Sequence, residues 1–177
     1  MKISLFALFL TAFFLVGPSS AQKRDYMTPA EADIVRNNQE IDARISVLSY
    51  MIDRRFAAMG IKSGGSKPPK SLEGDDDWTV EPTGAKAELL SDIHFLLEKA
   101  IDDIDNLAGH LPEKAKEERQ GVNVFNKAVK SLNASAKRWL PFLKKEVESP
   151  SDDKTYSAAA ASLEFCEQII DAASKLK

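Results

Sequence analysis

Along most of the chain, apolar residues recur at steps of three, four and seven, and that spacing predicts a single kind of element. Ile34, Ile41, Ile45, Leu48, Ile52, Phe56 and Met59 fall on one stripe of a helix. Thr28-Pro29-Ala30-Glu31 supplies its start, with a capping hydroxyl, a proline suited to the first turn and a carboxylate able to reach back. Gly60 supplies a left-handed stop, and Ile61 beyond it the usual apolar contact. One helix over about 29–59 is expected, about 46 Å long at 1.5 Å per residue. Asn38 sits in the seven-residue register of Ile45, Ile52 and Met59. It is either a buried polar residue that fixes register or the point where the stripe curves away.

The same period predicts three more helices. The second, about 84–108, opens at Thr83, carries Leu90, Ile93, Leu97, Ala100, Ile101, Ile104 and Leu107, and stops at Gly109. The third, about 113–148, carries Val122, Phe125, Val129, Leu132, Ala136, Trp139, Leu140, Leu143 and Val147. Its start is open, since Pro112 can sit in a first turn or 113–120 can be a solvated lead-in. Pro141 removes the hydrogen bond to the Lys137 carbonyl, so a kink is expected there. The fourth, about 152–176, carries Tyr156, Ala160, Leu163, Cys166, Ile170, Ala173 and Leu176.

No sustained two-residue alternation follows residue 21, so no strand is expected. Four helices with one apolar stripe each are best buried together, and the expected fold is an all-α four-helix bundle. Short connections near 109–112 and 149–153 make helices two, three and four antiparallel neighbours. The connection from Gly60 to Pro82 is long for a compact domain. Its typical end-to-end distance, roughly 26 Å for a flexible chain, is less than the length of the first helix. Up-down-up-down is therefore favoured over a crossover.

The beginning of the chain breaks the pattern. Lys2 precedes an uncharged apolar run from Ile3 to Val16, then Gly17-Pro18 and the small residues Ser19-Ser20-Ala21. This is the order of a signal peptide, with cleavage expected after Ala21. The run is too short to span a bilayer, which takes about 20 residues. Residues 22–177 are then a single helical domain, exported to the periplasm or secreted, with no transmembrane segment.

Composition narrows the partners. The 177 residues carry 24 Lys and Arg against 27 Asp and Glu, a net charge of -3. Without 1–21 the remainder is one charge more acidic, so nothing favours nucleic acid as a partner. Cys166 is the sole cysteine, so no intrachain disulfide can form, and its place on an apolar stripe suits packing better than nucleophilic chemistry.

Candidate chemistry is sparse. A di-iron bundle needs Glu-x-x-His pairs, whereas Ser91 precedes His94 and Leu107 precedes His110 at that spacing. Neither a haem-attachment motif nor a zinc pair of histidines occurs, and no cofactor or metal is expected. Asp92, Asp102, Asp103 and Asp105 give the second helix an acidic flank, read as a solvated face. The loop holds Asp75, Asp76, Asp77 and Trp78, either a partner-binding patch or a linker whose Trp folds back. Three consecutive Asp do not have the alternate spacing of a calcium loop.

The segments Arg24-Asp25-Tyr26-Met27-Thr28-Pro29-Ala30-Glu31, Gln39-Glu40-Ile41-Asp42-Ala43-Arg44 and Ala87-Glu88-Leu89-Leu90-Ser91-Asp92-Ile93 resemble those of an uncharacterised family of exported bacterial helical proteins. The resemblance implies export and a helical bundle, and it brings no activity or catalytic residue. The expected function is that of a non-catalytic binding or interaction module with an unidentified protein or small-molecule partner, as a monomer or small homo-oligomer. The alternatives are a cofactor- or metal-binding bundle and an enzyme without a recognisable motif.

Overall fold

A computed structural model describes residues 24–65, 68–69, 72, 80–110 and 119–175, and these are all helical or connecting, with no strand among them. Among the described residues there are five α-helices: α1 (Pro29–Asn37), α2 (Ile41–Ala58), α3 (Lys86–His110), α4 (Arg119–Glu148) and α5 (Asp153–Lys175). The expected helix over 29–59 is thus two helices. Asn38 breaks it: its backbone turns to φ −89°, ψ 87°, and its side-chain Nδ2 donates to the Ile34 carbonyl at 2.8 Å. Its own carbonyl accepts from Arg44 Nε at 2.8 Å instead of from the next helical turn. A short amide that can bond the local backbone competes with helix continuation, and here it wins.

The ends of the elements follow from their sequences. Thr28 Oγ1 accepts from the Glu31 backbone N–H at 3.1 Å, and the Thr28 N–H donates to Glu31 Oε2 at 3.0 Å, closing the capping box of α1. At the end of α2, Gly60 has φ 76°. The Ile61 N–H bonds the Phe56 carbonyl at 2.9 Å and the Gly60 N–H bonds the Ala57 carbonyl at 2.8 Å. These paired bonds satisfy carbonyls that the helix leaves open, in the arrangement a left-handed glycine permits.

The α3 start is later than expected, at Lys86, where the Ala85 N–H donates to Glu88 Oε2 at 2.8 Å. α3 also continues through Gly109 to His110, and Gly109 has no positive φ, so it is not the expected stop. Residues 111–118 lie outside the described residues, as does the start expected for the next helix at 113. α4 runs through Pro141. Asp152 caps α5, its Oδ1 accepting from the Thr155 N–H at 2.8 Å.

α2 packs on α3 and α4, α5 packs on the same two helices, and α1 lies on α2. The core contains Ile45, Leu48, Ile52 and Phe56 of α2, Leu90, Ile93 and Leu97 of α3, and Leu132, Trp139 and Leu143 of α4. Phe56 and Trp139 stack with centroids 6.5 Å apart. α2 is buried well beyond one stripe, with Val47, Ser49, Met51, Asp53 and Arg55 enclosed as well, as expected for a helix covered on several sides.

The α5 stripe agrees in part with the expected one: Cys166 is in the core and Leu163, Ile170 and Ala173 pack against it. Thr155, Ala159, Ser162, Cys166 and Ile169 are its buried residues, while Tyr156 is 47% exposed. Small side chains let α5 approach closely, and Ser162 Oγ reaches the Leu90 carbonyl of α3 at 3.2 Å.

Gly60 has open space where a Cβ would stand, so Gly60→Ala carries only the cost of its left-handed backbone. Urea unfolding of that variant should show a loss of about 1 kcal/mol, with the helical circular-dichroism signal unchanged.

Candidate functional site

Among the described residues, buried polar clusters and surface clefts are features of this fold that hydrophobic patterning does not account for. The first cluster centres on Arg55 of α2, 2% exposed, facing Glu31 of α1 at 3% and Asp92 of α3 at 4%. Arg55 grips Glu31 through both nitrogens, Nη1 to Oε1 at 2.5 Å and Nη2 to Oε2 at 2.7 Å. Its Nη2 also donates to the Tyr26 carbonyl at 2.8 Å. Asp92 Oδ2 lies 3.8 Å from Arg55 Nε and accepts from Arg24 at 2.8 Å, while Arg24 also bonds Glu88 at 3.0 Å.

The two carboxylates respond oppositely to this setting. Burial alone would push Glu31 up. The hydrogen bond and charge of Arg55, with the Thr28 N–H and Arg54, outweigh it and hold Glu31 below its usual value. For Asp92 burial prevails over the attraction of Arg24 and Arg55, and the neighbouring Glu31 adds to the rise, so its pKa is pushed up to about 6. A carboxyl that titrates there can exchange a proton near neutrality, yet neither cleft described below is lined by Glu31, Arg55 or Asp92. The cluster fixes the N-terminal segment, α1, α2 and α3 to one another.

The second cluster centres on Asp53 of α2. Its Oδ1 accepts from Trp139 Nε1 at 2.7 Å and Ser63 Oγ at 2.6 Å, and its Oδ2 accepts from Arg138 at 3.1 Å. A Cβ at Gly65 would stand 2.0 Å from Asp53 Oδ2, so the loop passes this carboxylate where only glycine fits. Asp53 thereby binds α2, α4 and the loop after Gly60.

The acidic flank read along α3 divides in the structure. Asp102 and Asp105 are exposed, but Asp92 and Asp103 are buried rather than solvated. Asp103 Oδ1 accepts from Lys99 at 2.6 Å and from Arg44 at 3.5 Å. His94 is half-buried, stacked on Phe165 at 4.8 Å and edge-on to Phe95 at 5.2 Å. Among the described residues no three His, Cys, Asp or Glu gather to hold a metal ion. Cys166 is fully buried, and burial, aided by Glu167, pushes its thiol up to about 12. Asp75, Asp76, Asp77 and Trp78 lie outside the described residues.

One cleft, about 430 Å³, lies between the end of α2 and the loop, beside Tyr50, Arg54, Lys62 and Ser63. Another is a narrower groove of about 320 Å³ between α3, α4 and α5. Ile101, Ile104, Phe125, Val129, Leu132 and Ile169 form its apolar walls, with Ala172, Asp105 and Gln168 completing the lining. The hydrophobic pattern does not distinguish Ile101, Ile104, Phe125, Val129 and Leu132 from core, since each lies on an expected stripe, whereas Ile169 falls beside the expected one. Among the described residues no helix is long and apolar enough to cross a membrane. Comparison with family models, with curated proteins and with solved structures yields no match.

Asp92 has a folded pKa above its unfolded value, so its contribution to stability is present at low pH and lost as pH rises through about 6. Glu31 has the opposite sign, and its contribution is lost only as pH falls through its depressed value. Asp92 alone should make the protein about 1 kcal/mol more stable at pH 5 than at pH 7. Urea titrations at both values should show the Asp92→Asn variant lacking that difference. Glu31→Gln removes the carboxylate that Arg55 grips with two hydrogen bonds and should cost about 3 kcal/mol at pH 7 by the same measurement.

Proposed function

We propose that this chain is an exported, non-catalytic helical binding module that takes a small apolar ligand into the groove between α3, α4 and α5. The observation that carries the reading is the groove itself. Its volume falls at the lower end of the range for small-molecule sites, and its mostly apolar lining with two polar residues has the usual character of such sites. The order of Lys2, the apolar run and the small residues before Gln22 supports a cleaved signal peptide, and with it a periplasmic or secreted protein. The segments quoted above for an exported bacterial helical family support the same placement.

An up-down-up-down arrangement of α2 to α5, with α1 laid on it, suits this function. Asp42–Lys127 and Asp53–Trp139 are pairs between corresponding parts of α2 and α4, which favours the same direction for both. Lys86 at the start of α3 meets Glu146 at the end of α4 at 2.6 Å, which favours opposed directions there. Ser162 beside Leu90, together with Ile169 across the groove from Ile104, favours α3 and α5 running alike. In such a bundle a cleft between three helices is a rigid receptor.

Titration of the mature protein with the neutral dye N-phenyl-1-naphthylamine should give a saturable rise in fluorescence at one dye per chain. Ala172→Trp places an indole at the groove without removing a core side chain. It should weaken dye binding by at least about tenfold, while the thermal midpoint stays close to wild type. Absence of saturable binding, or binding indifferent to this variant, overturns the groove as the ligand site.

A further inference from the structure

The polar residues of the groove carry information about the ligand's other end. Asp105 on α3 and Gln168 on α5 are exposed, and among the described residues no lysine or arginine lines this cleft. Gln168 Nε2 donates to Glu164 Oε1 at 3.2 Å, which engages the donor side of that amide with an acid and leaves the carbonyl as its accepting group. Glu164 is itself exposed, as is Asp102, one turn before Asp105 on α3.

Several cations on the flanking helices are already engaged with acids. Lys99 bonds Asp103 at 2.6 Å, Lys175 pairs with Asp171, Lys127 pairs with Asp42, and Lys144 lies 3.7 Å from Glu167. Lys130 is exposed on α4 but does not line the groove. Among the described residues, the lining therefore offers one carboxylate with no cation beside it in the groove and a carbonyl acceptor.

We infer that the groove selects a cationic amphiphile, an apolar chain or ring system ending in a single ammonium group that sits beside the Asp105 carboxylate. The inference rests on the groove being a binding site. The apolar body removes its surface from water against Ile101, Ile104, Phe125 and Ile169. The ammonium remains partly hydrated while its three N–H donors face oxygen acceptors, so no charge is stranded in the core. A carboxylate on the same chain would meet Asp105 as a like charge, and a hydroxyl would gain a hydrogen bond without charge attraction.

Decylamine, decanol and decanoate separate these cases, each displacing the dye at pH 7 and low ionic strength, below its micelle concentration. Decylamine is expected to displace at a concentration about tenfold below decanoate and clearly below decanol. Added salt should narrow the gap between amine and carboxylate. Asp105→Asn should collapse the amine-to-alcohol ratio toward one. Equal or tighter binding of decanol or decanoate, or an amine preference that survives Asp105→Asn, overturns the cationic assignment while leaving an apolar binding site standing. Failure of all three to displace a bound dye, or failure of the dye to bind, overturns the site together with the assignment.

Discussion

A guanidinium buried to 2% exposure cannot be left alone, and the placement of Arg55 dictates much of what surrounds it. Its five donors need acceptors that water no longer supplies. Glu31 provides two oxygens, Tyr26 and Met51 provide carbonyls, and Asp92 adds a second negative charge from α3. Glu31 Oε2 also receives the Thr28 N–H, so the oxygen that completes the start of α1 is the oxygen that neutralises Arg55. Local capping and long-range packing therefore depend on the same atom. Apolar burial alone would let α1 shift along α2, whereas the paired bonds define one position.

Much of the helical content was legible because it depends on short-range rules. The capping box at Thr28 and Glu31, the left-handed stop at Gly60 and the stripes of α2, α3 and α4 involve residues within a few positions of one another. The break at Asn38 was less legible, since the same residue fits a helical register and a local cap. What decided it is Arg44 taking the Asn38 carbonyl while also reaching Asp103 across the fold. The α5 stripe is legible only in part, since Cys166 is buried and Leu163, Ile170 and Ala173 pack against the core. An apolarity criterion selects Tyr156 and passes over Thr155 and Ser162, although the small residues are the ones that permit close approach to α3.

The buried charges were the least legible. Asp92 and Asp103 share a helix with Asp102 and Asp105, and periodicity treats all four alike. The positions of Arg24, Arg44 and Arg55, contributed by distant segments, separate the buried pair from the exposed one, with Lys99 of the same helix adding to the setting of Asp103. The groove is hidden for a related reason. Ile104, Val129 and Leu132 are apolar residues on apolar stripes, and a cleft differs from a filled core only in how three helices diverge. Close contact through Ala159 and Ser162 in the first half of α5 contrasts with the bulkier Ile169 beside the groove.

The double duty of Glu31 gives α1 a particular kind of dynamics. Its first turn cannot open while Glu31 stays on Arg55, and Glu31 cannot leave Arg55 without also releasing the Thr28 N–H. Fraying residue by residue, common at the ends of chains, is replaced by a single sub-global opening in which the helix detaches as one cooperative unit. Amides along α1 would then share one hydrogen-exchange free energy, set by an ion pair whose second partner, Arg55, lies 24 residues beyond Glu31 in the chain.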